Sequence, residues 1–187
     1  MEVIIISDVR VITISGHAQN GKDTSAKILK EILEDKGYRV LIAHYADLLK
    51  YICRTFFDWD GNKDEKGRTL LQYVGTDVIR KKEPDFWVGF LVKIIQLFDG
   101  EWDYVLIPDC RFPNECEVLK DNGIETILLR ITRSGFESPL TEEQRKHPSE
   151  TALDNTEPDY TVDNSGSLKE LKDKLNKFAE EYLNGLL

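Results

Sequence analysis

Val11-Ile-Thr-Ile-Ser15 runs straight into Gly16-His-Ala-Gln-Asn-Gly21-Lys22-Asp23-Thr24, and apolar residues then recur at Ala26, Ile28, Leu29, Ile32 and Leu33. The β-branched run reads as a buried strand. The apolar spacing over Lys22–Asp35 is that of a helix, ended by Lys36-Gly37. Strand, glycine-bearing loop and helix in this order give the loop a chemical meaning. Glycines let backbone N–H groups curl around phosphate oxygens, the helix N-terminus adds its positive dipole end, and Lys22 reaches the β and γ oxygens. Gly16, Asn20, Gly21, Lys22, Asp23 and Thr24 are therefore the expected phosphate-binding residues. The plain alternative is a Gly-rich turn capped by Asn20. Asp23 stands where such loops usually carry a Ser or Thr that touches Mg²⁺. A carboxylate repels phosphate unless a metal or Lys22 lies between them. Asp23 is thus read as a Mg²⁺ contact, direct or through water, and Thr24 as a hydroxyl donor to phosphate.

Working outward, Arg39–His44 reads as a second strand and Ala46–Phe57 as a helix. Asp58–Gly67 reads as a polar loop, and Thr69–Lys82 and Phe86–Phe98 as helices parted by Pro84. Tyr104–Pro108 is a third strand, Pro113–Asn122 a helix closed by Gly123, and Glu125–Ile131 a fourth strand. Thr132–Thr151 is charged and lacks apolar periodicity, as a mobile loop or lid would be. Tyr160–Val162 is a short fifth strand and Ser167–Leu183 an amphipathic helix. Met1–Ser7 adds a candidate edge strand. Alternating strands and helices predict an α/β, three-layer sandwich around a mostly parallel five-stranded sheet. The expectation is one domain over residues 1–187, with a helical acceptor-binding insertion at about 46–98 and a lid at about 132–151.

The 187 residues carry a net charge of −9 and an apolar fraction of 41%, which fit an ordinary globular protein. An acidic surface argues against nucleic acid and against an anionic membrane as partners. An acidic protein that handles anionic nucleotides has to gather its Arg and Lys locally. Cys53, Cys110 and Cys116 are odd in number and without metal-ligand spacing, so neither a disulfide framework nor a zinc site is expected. Met1–Ser7 is too short for a signal segment, no stretch approaches membrane-spanning length, and a cytoplasmic setting is the default.

Asp109 ends the third strand beside Cys110-Arg111, outside the carboxyl ends of the strands where ligands bind in open parallel sheets. It reads as a contact for Mg²⁺ water or an acceptor group, or else as a cap and ion-pair partner for the helix that follows. Asp47 is placed to orient a substrate hydroxyl or to cap its helix. Arg68 and Arg80 flank the Leu70–Ile79 helix and suit bidentate capture of phosphate, and Trp87 offers a stacking face. The alternative is two solvated arginines and a core tryptophan. Arg130, Arg133, Arg145 and Lys146 bracket the lid-like stretch, where closing positive charge would serve phosphoryl transfer. His147 reads as a surface residue ahead of Pro148.

Together these segments resemble the phage-type deoxynucleoside monophosphate kinases. The matching runs are Ser15–Thr24, Ala46-Asp47-Leu-Leu-Lys50, Trp59–Lys63 with Gly67-Arg68, and Leu71–Arg80 with Phe86-Trp87-Val88. Asp109-Cys-Arg-Phe-Pro-Asn-Glu115, Pro148–Leu153 and Asp163–Leu168 complete the set. The resemblance implies ATP as donor, Mg²⁺ as cofactor and a (deoxy)nucleoside monophosphate as acceptor. It places Lys22 and Thr24 on the donor phosphates and Arg68, Arg80 and Arg111 around the acceptor phosphate. Trp87 and Asp47 then frame base and sugar, Arg133 and Glu150 belong to the closing region, and Lys22, Arg111 and Arg133 carry catalysis. Two rivals stay open: a kinase of another phosphorylated small molecule, of the dephospho-coenzyme A or phosphomevalonate type, and a nucleotide-binding switch without transfer. The exposed face of the last helix leaves a homodimer open too.

Overall fold

The protein, seen in a computed structural model, is described over residues 8–136 and 140–185. The expected strand at Met1–Ser7 lies outside these residues. Five strands, β1 (Arg10–Ser15), β2 (Val40–Ile42), β3 (Tyr104–Ile107), β4 (Glu125–Thr132) and β5 (Tyr160–Asp163), form one sheet in the order β2-β3-β1-β4-β5. Every pairing is parallel, with Ile12 of β1 opposite both Leu106 and Ile127. The chain reverses its winding at β1, so the loop after β1 leaves the sheet at the switch point where ligands collect in open α/β folds.

Strand alternation sends successive side chains to opposite faces. Ile12, Ile14, Leu106 and Leu129 pack under α1 (Lys22–Asp35) and α8 (Leu168–Leu183), which contribute Leu29, Leu33, Leu175 and Phe178. Val11, Val105, Ile107 and Leu128 face the other layer. That layer holds α2 (Ala46–Phe56), α3 (Glu65–Gln72), α4 (Phe86–Leu97) and α5 (Asn114–Asp121). Burial on both faces explains why the central strands read as continuous apolar runs. The three-layer α/β sandwich around a parallel sheet is as the sequence predicts.

Three local differences have physical causes. β2 is three residues long rather than spanning Arg39–His44. At its start the Arg39 backbone N–H donates to Asp103 Oδ2 at 2.7 Å. Beyond its end the backbone N–H groups of Tyr45 and Ala46 both donate to the Asp109 carboxylate at 3.0 Å, turning the chain into α2. Helix α3 begins inside the expected polar loop, because the Asp64 side chain caps it by accepting from Gly67 N at 2.7 Å. Gly67 is needed there, since a Cβ would lie 2.0 Å from Asn62 O. The helix then widens into a π-helical stretch, Tyr73–Arg80, a feature often found beside functional sites.

The lid-like stretch holds two short helices, α6 (Glu142–Lys146) and α7 (Pro148–Thr151). Thr141 and Gln144 form a capping box on α6, and His147 caps α7 by accepting from Ser149 N. Helices of five and four residues are too short to display an apolar period. Among the described residues no helix is long and apolar enough to cross a membrane.

Candidate active site

The loop after β1 is shaped by close backbone approach. Gly16 has φ +137°, and a Cβ there would stand 2.2 Å from Ile131 O of β4. Gly21 has φ +96° and serves as the N-cap of α1 without a side-chain bond. Asn20 therefore does not cap the helix. Its Nδ2 donates across to Ile131 O at 3.1 Å, while its own carbonyl accepts from Asn164 Nδ2 at 2.8 Å. Asn164 is fixed in turn by its backbone N–H, which donates to Thr132 O at 2.7 Å. The loop is thus pinned to the C-terminal ends of β4 and β5.

Lys22 opens α1 and folds back into the loop, where Nζ donates to Gly16 O at 2.6 Å and His17 O at 2.9 Å. Only 7% of Lys22 is exposed. Burial is the main reason its ammonium pKa falls from 10.5 to about 7, and the neighbouring Arg111 charge adds to the effect. An anion delivered to this loop would reverse both costs. Thr24 is exposed on the first turn of α1.

Asp23 lies on the rim, with one oxygen 3.2 Å from His44 Nε2; this contact holds its pKa down and raises that of His44. His44 Nδ1 is 3.4 Å from Asp47, which also accepts from Lys50 at 2.8 Å. Asp109 caps α2, not the helix that follows it in sequence. Asp23 and Asp109 both line the cleft that Lys22 and His44 also line.

From Lys22 a cleft of about 350 Å³ opens between the carboxyl ends of the strands and α2, α3, the π-helical stretch and α4. Its wall gathers the basic residues Lys50, Lys63, Arg68, Arg80 and Arg111, together with Trp87. In a chain of net charge −9 this is the local concentration of cations that a polyanion site requires. Lys63 is pushed down by burial and by its neighbours Lys50 and Arg68. Arg68 donates to Lys63 O at 3.0 Å.

Arg80 is buried rather than solvated. It pairs with Glu115, donates to Asn114 Oδ1 at 2.9 Å and to Pro84 O at 3.0 Å, and lies 3.9 Å above the Phe112 ring. Trp87 is both core and wall: it is 5% exposed, and its Nε1 donates to Gly75 O at 3.1 Å.

Arg111 Nη1 donates to Glu150 Oε1 at 2.7 Å and to Ser149 O at 3.2 Å, tying the β3–α5 turn to α7. Glu150 Oε2 is buried without a hydrogen-bond partner. Behind this bridge lies a second cavity of about 300 Å³, lined by Gly16, His17, Asn20 and Arg130 and sharing Arg111, Ser149 and Glu150 with the first. Arg130 donates to Leu153 O and Thr156 O at 2.7 Å, and His17 lies 3.6 Å from Asp154.

Arg133 is not among the residues lining either cavity and stacks on Phe136 at 4.6 Å. Lys146 pairs with Glu142 on the surface, and Arg145 is exposed. His147 is more than a surface residue, since its Nε2 approaches Asp77 at 3.6 Å. The cysteines are free thiols, with Cys110 and Cys116 Sγ atoms 3.7 Å apart.

Glu115, Asn164, His44 and Lys63 enter the site without a role assigned from sequence. Asn164 reaches Asn20 across 144 positions and Glu115 reaches Arg80 across 35, separations at which no periodicity carries a signal. Among the described residues no group of three or more His, Cys, Asp or Glu side chains is arranged to hold a metal ion.

A family model described as deoxynucleotide monophosphate kinase matches residues 52–175. The deoxynucleotide monophosphate kinase of Escherichia phage RB69 is 33% identical over 112 residues, 59% of this chain and 43% of that protein. The enzyme of the same name from Enterobacteria phage T4 is 30% identical over 110 residues, 58% of this chain and 43% of that protein. The chain therefore spans less than half the length of these two relatives. Among solved structures, the APS kinase of Mycobacterium tuberculosis superposes with a TM-score of 0.50 at 14% identity, covering 92% of this chain and 97% of that one. At that identity the likeness speaks for the fold.

Proposed function

Because the chain belongs to the deoxynucleotide monophosphate kinase family, we propose that it transfers the γ-phosphoryl group of ATP to a (deoxy)nucleoside monophosphate, giving the diphosphate. The observation that carries this reading is the cleft in which Lys22 of the glycine loop lies among five basic side chains and the Trp87 face. Lys22 and the loop N–H groups would bind the donor phosphates, joined by Thr24. Arg68, Arg80 and Arg111 would surround the acceptor phosphate, with Trp87 and Asp47 against base and sugar. An ionised acceptor oxygen needs no strong general base, so in-line positioning and charge neutralisation do the work. We assign residues 46–98 as the acceptor-binding region and 132–151 as the lid of a single kinase domain. In the lid, Glu150 holds Arg111, and Arg133 comes in on closing. The same reading sets the work in the cytoplasm, on small nucleotides and not on nucleic acid or membrane.

The residues present fit Mg²⁺. Asp23 and Asp109 line one cleft and offer hard oxygen donors, Asp109 while also accepting from Tyr45 and Ala46, and Glu150 on the same cleft has a buried Oε2 without a hydrogen-bond partner. Mg²⁺ takes one or two carboxylates, substrate phosphates and several waters, so a sparse protein set suits it. When bound it neutralises charge on the β and γ oxygens.

The test is a coupled assay with ATP and Mg²⁺ against dAMP, dCMP, dGMP, dTMP, their ribose forms, dephospho-coenzyme A and phosphomevalonate. Turnover with one or more nucleoside monophosphates is expected. Turnover with only a non-nucleotide acceptor would keep the donor loop and overturn the acceptor. Binding of ATP without any transfer would point to a switch.

A further inference from the structure

Glu115 sits on the first turn of α5, 2% exposed, at the back wall of the cleft. Its Oε1 takes the Arg80 guanidinium from the π-helical stretch. Its Oε2 accepts the backbone N–H of Arg111 at 2.6 Å and of Phe112 at 3.1 Å. One buried carboxylate therefore joins two elements that each present an arginine to the cleft. Both sets of partners are donors, so the group between them must accept on both sides. We propose that Glu115 is the positioning residue of the acceptor-phosphate site: it fixes Arg80 and the Arg111 turn at one mutual spacing, and binding of the monophosphate depends on that spacing.

The rest of the Arg80 environment agrees. Asn114 and Pro84 take Nη1 and the Phe112 ring covers one face, so the guanidinium is clamped rather than swinging. A clamped guanidinium loses little freedom on taking up a phosphate, and a misplaced one loses its bidentate geometry. Glu115 does not act as a base. Burial pushes its carboxyl up to about 7, but Arg80 and the two N–H groups occupy its oxygens. It works through the arginines and not on the substrate.

This inference rests on the monophosphate kinase reading, and the experiment separates the two. Steady-state kinetics would be measured on the full chain for wild type, Glu115→Gln, Arg80→Gln and the double variant, with ATP and the best monophosphate varied in turn. Glu115→Gln keeps the shape but turns an NH₂ group toward one of the two donor sets. KM for the monophosphate should rise at least tenfold, while KM for ATP stays within about twofold. Arg80→Gln added to Glu115→Gln should cost far less than on the wild-type background, because both changes break one unit. Equal rises in both KM values, or fully additive effects, would make Glu115 a structural residue only and overturn the proposal. Should Glu115→Gln fail to fold by circular dichroism, Glu115→Asp keeps the charge on a shorter arm. A monophosphate KM unchanged in that variant would equally overturn it. Wild type inactive toward every monophosphate would sink the kinase reading itself, whatever the variants do.

Discussion

Binding of ATP to this chain should take up a proton, and Lys22 is the reason. Its ammonium is held from 10.5 down to about 7, chiefly by burial. At about 1.36 kcal/mol per tenfold change in proton affinity, that corresponds to about 5 kcal/mol of disfavoured charge in the free protein. A polyphosphate brought against Nζ favours the charged form, so the pKa rises on binding. At pH 8 the free lysine is about 90% neutral if its pKa is about 7. Restoring the charge therefore draws up to about 0.9 proton per site from the buffer. The sign follows: between about pH 7 and the pKa of the complex, ATP affinity falls as pH rises, by up to about tenfold per pH unit. Titration calorimetry at pH 8 in two buffers of different ionisation enthalpy, with a non-hydrolysable ATP analogue, measures the uptake directly. Lys22→Gln is the control, because Lys63 is also pushed down by burial and can contribute a background. Uptake that is the same in wild type and Lys22→Gln would refute the reasoning that burial leaves Lys22 largely neutral in the free protein.

Three further outcomes follow from the loop and the cleft. Asn164→Ala removes the 2.8 Å bond to Asn20 O; at about 1 kcal/mol for a typical bond, KM for ATP should rise about fivefold. KM for the acceptor should not move in that variant, and an effect confined to the acceptor would contradict the loop-pinning role. Gly16→Ala forces a Cβ to 2.2 Å from Ile131 O at φ +137°. It should destabilise the fold by more than about 2 kcal/mol, read as a lowered urea midpoint, and a midpoint equal to wild type would show that the loop is not so constrained. Trp87→Phe keeps a ring but leaves Gly75 O without its donor; the cost should be about 1–3 kcal/mol, or several degrees in Tm at about 2–4 °C per kcal/mol.

Much of the fold was legible because it rests on short-range patterns. β-branched and apolar runs bounded by Gly and Pro marked the sheet strands, and the apolar spacing of Ala26, Ile28, Leu29, Ile32 and Leu33 marked α1. The two lid helices were missed because four or five residues carry no period, although Thr141 and Gln144 were a capping signal in plain view. The early start of α3 was likewise written in Asp64, whose capping bond spans only three residues.

The strand, glycine loop and helix of residues 11–35 were legible in the sequence, since their order rests on consecutive residues, whereas the pinning of the loop to Ile131 and Asn164 was decided by the tertiary structure. The local part is the glycine at the N-cap of α1 with positive φ and the lysine at the helix start. The cleft wall was different. Sequence named Arg68, Arg80, Arg111 and Trp87, but only the tertiary structure showed that Arg80 is clamped by Glu115 and Asn114, that Trp87 is half wall and half core, and that Arg133 points to Phe136 and not into the cleft. It also reassigned Asp109, which caps a helix that begins 63 positions earlier in the chain. The physical reason is the same in each case. A buried charge must find its partner wherever the fold brings one within about 3 Å, and which partner arrives is decided by sheet order and helix packing, not by spacing along the chain.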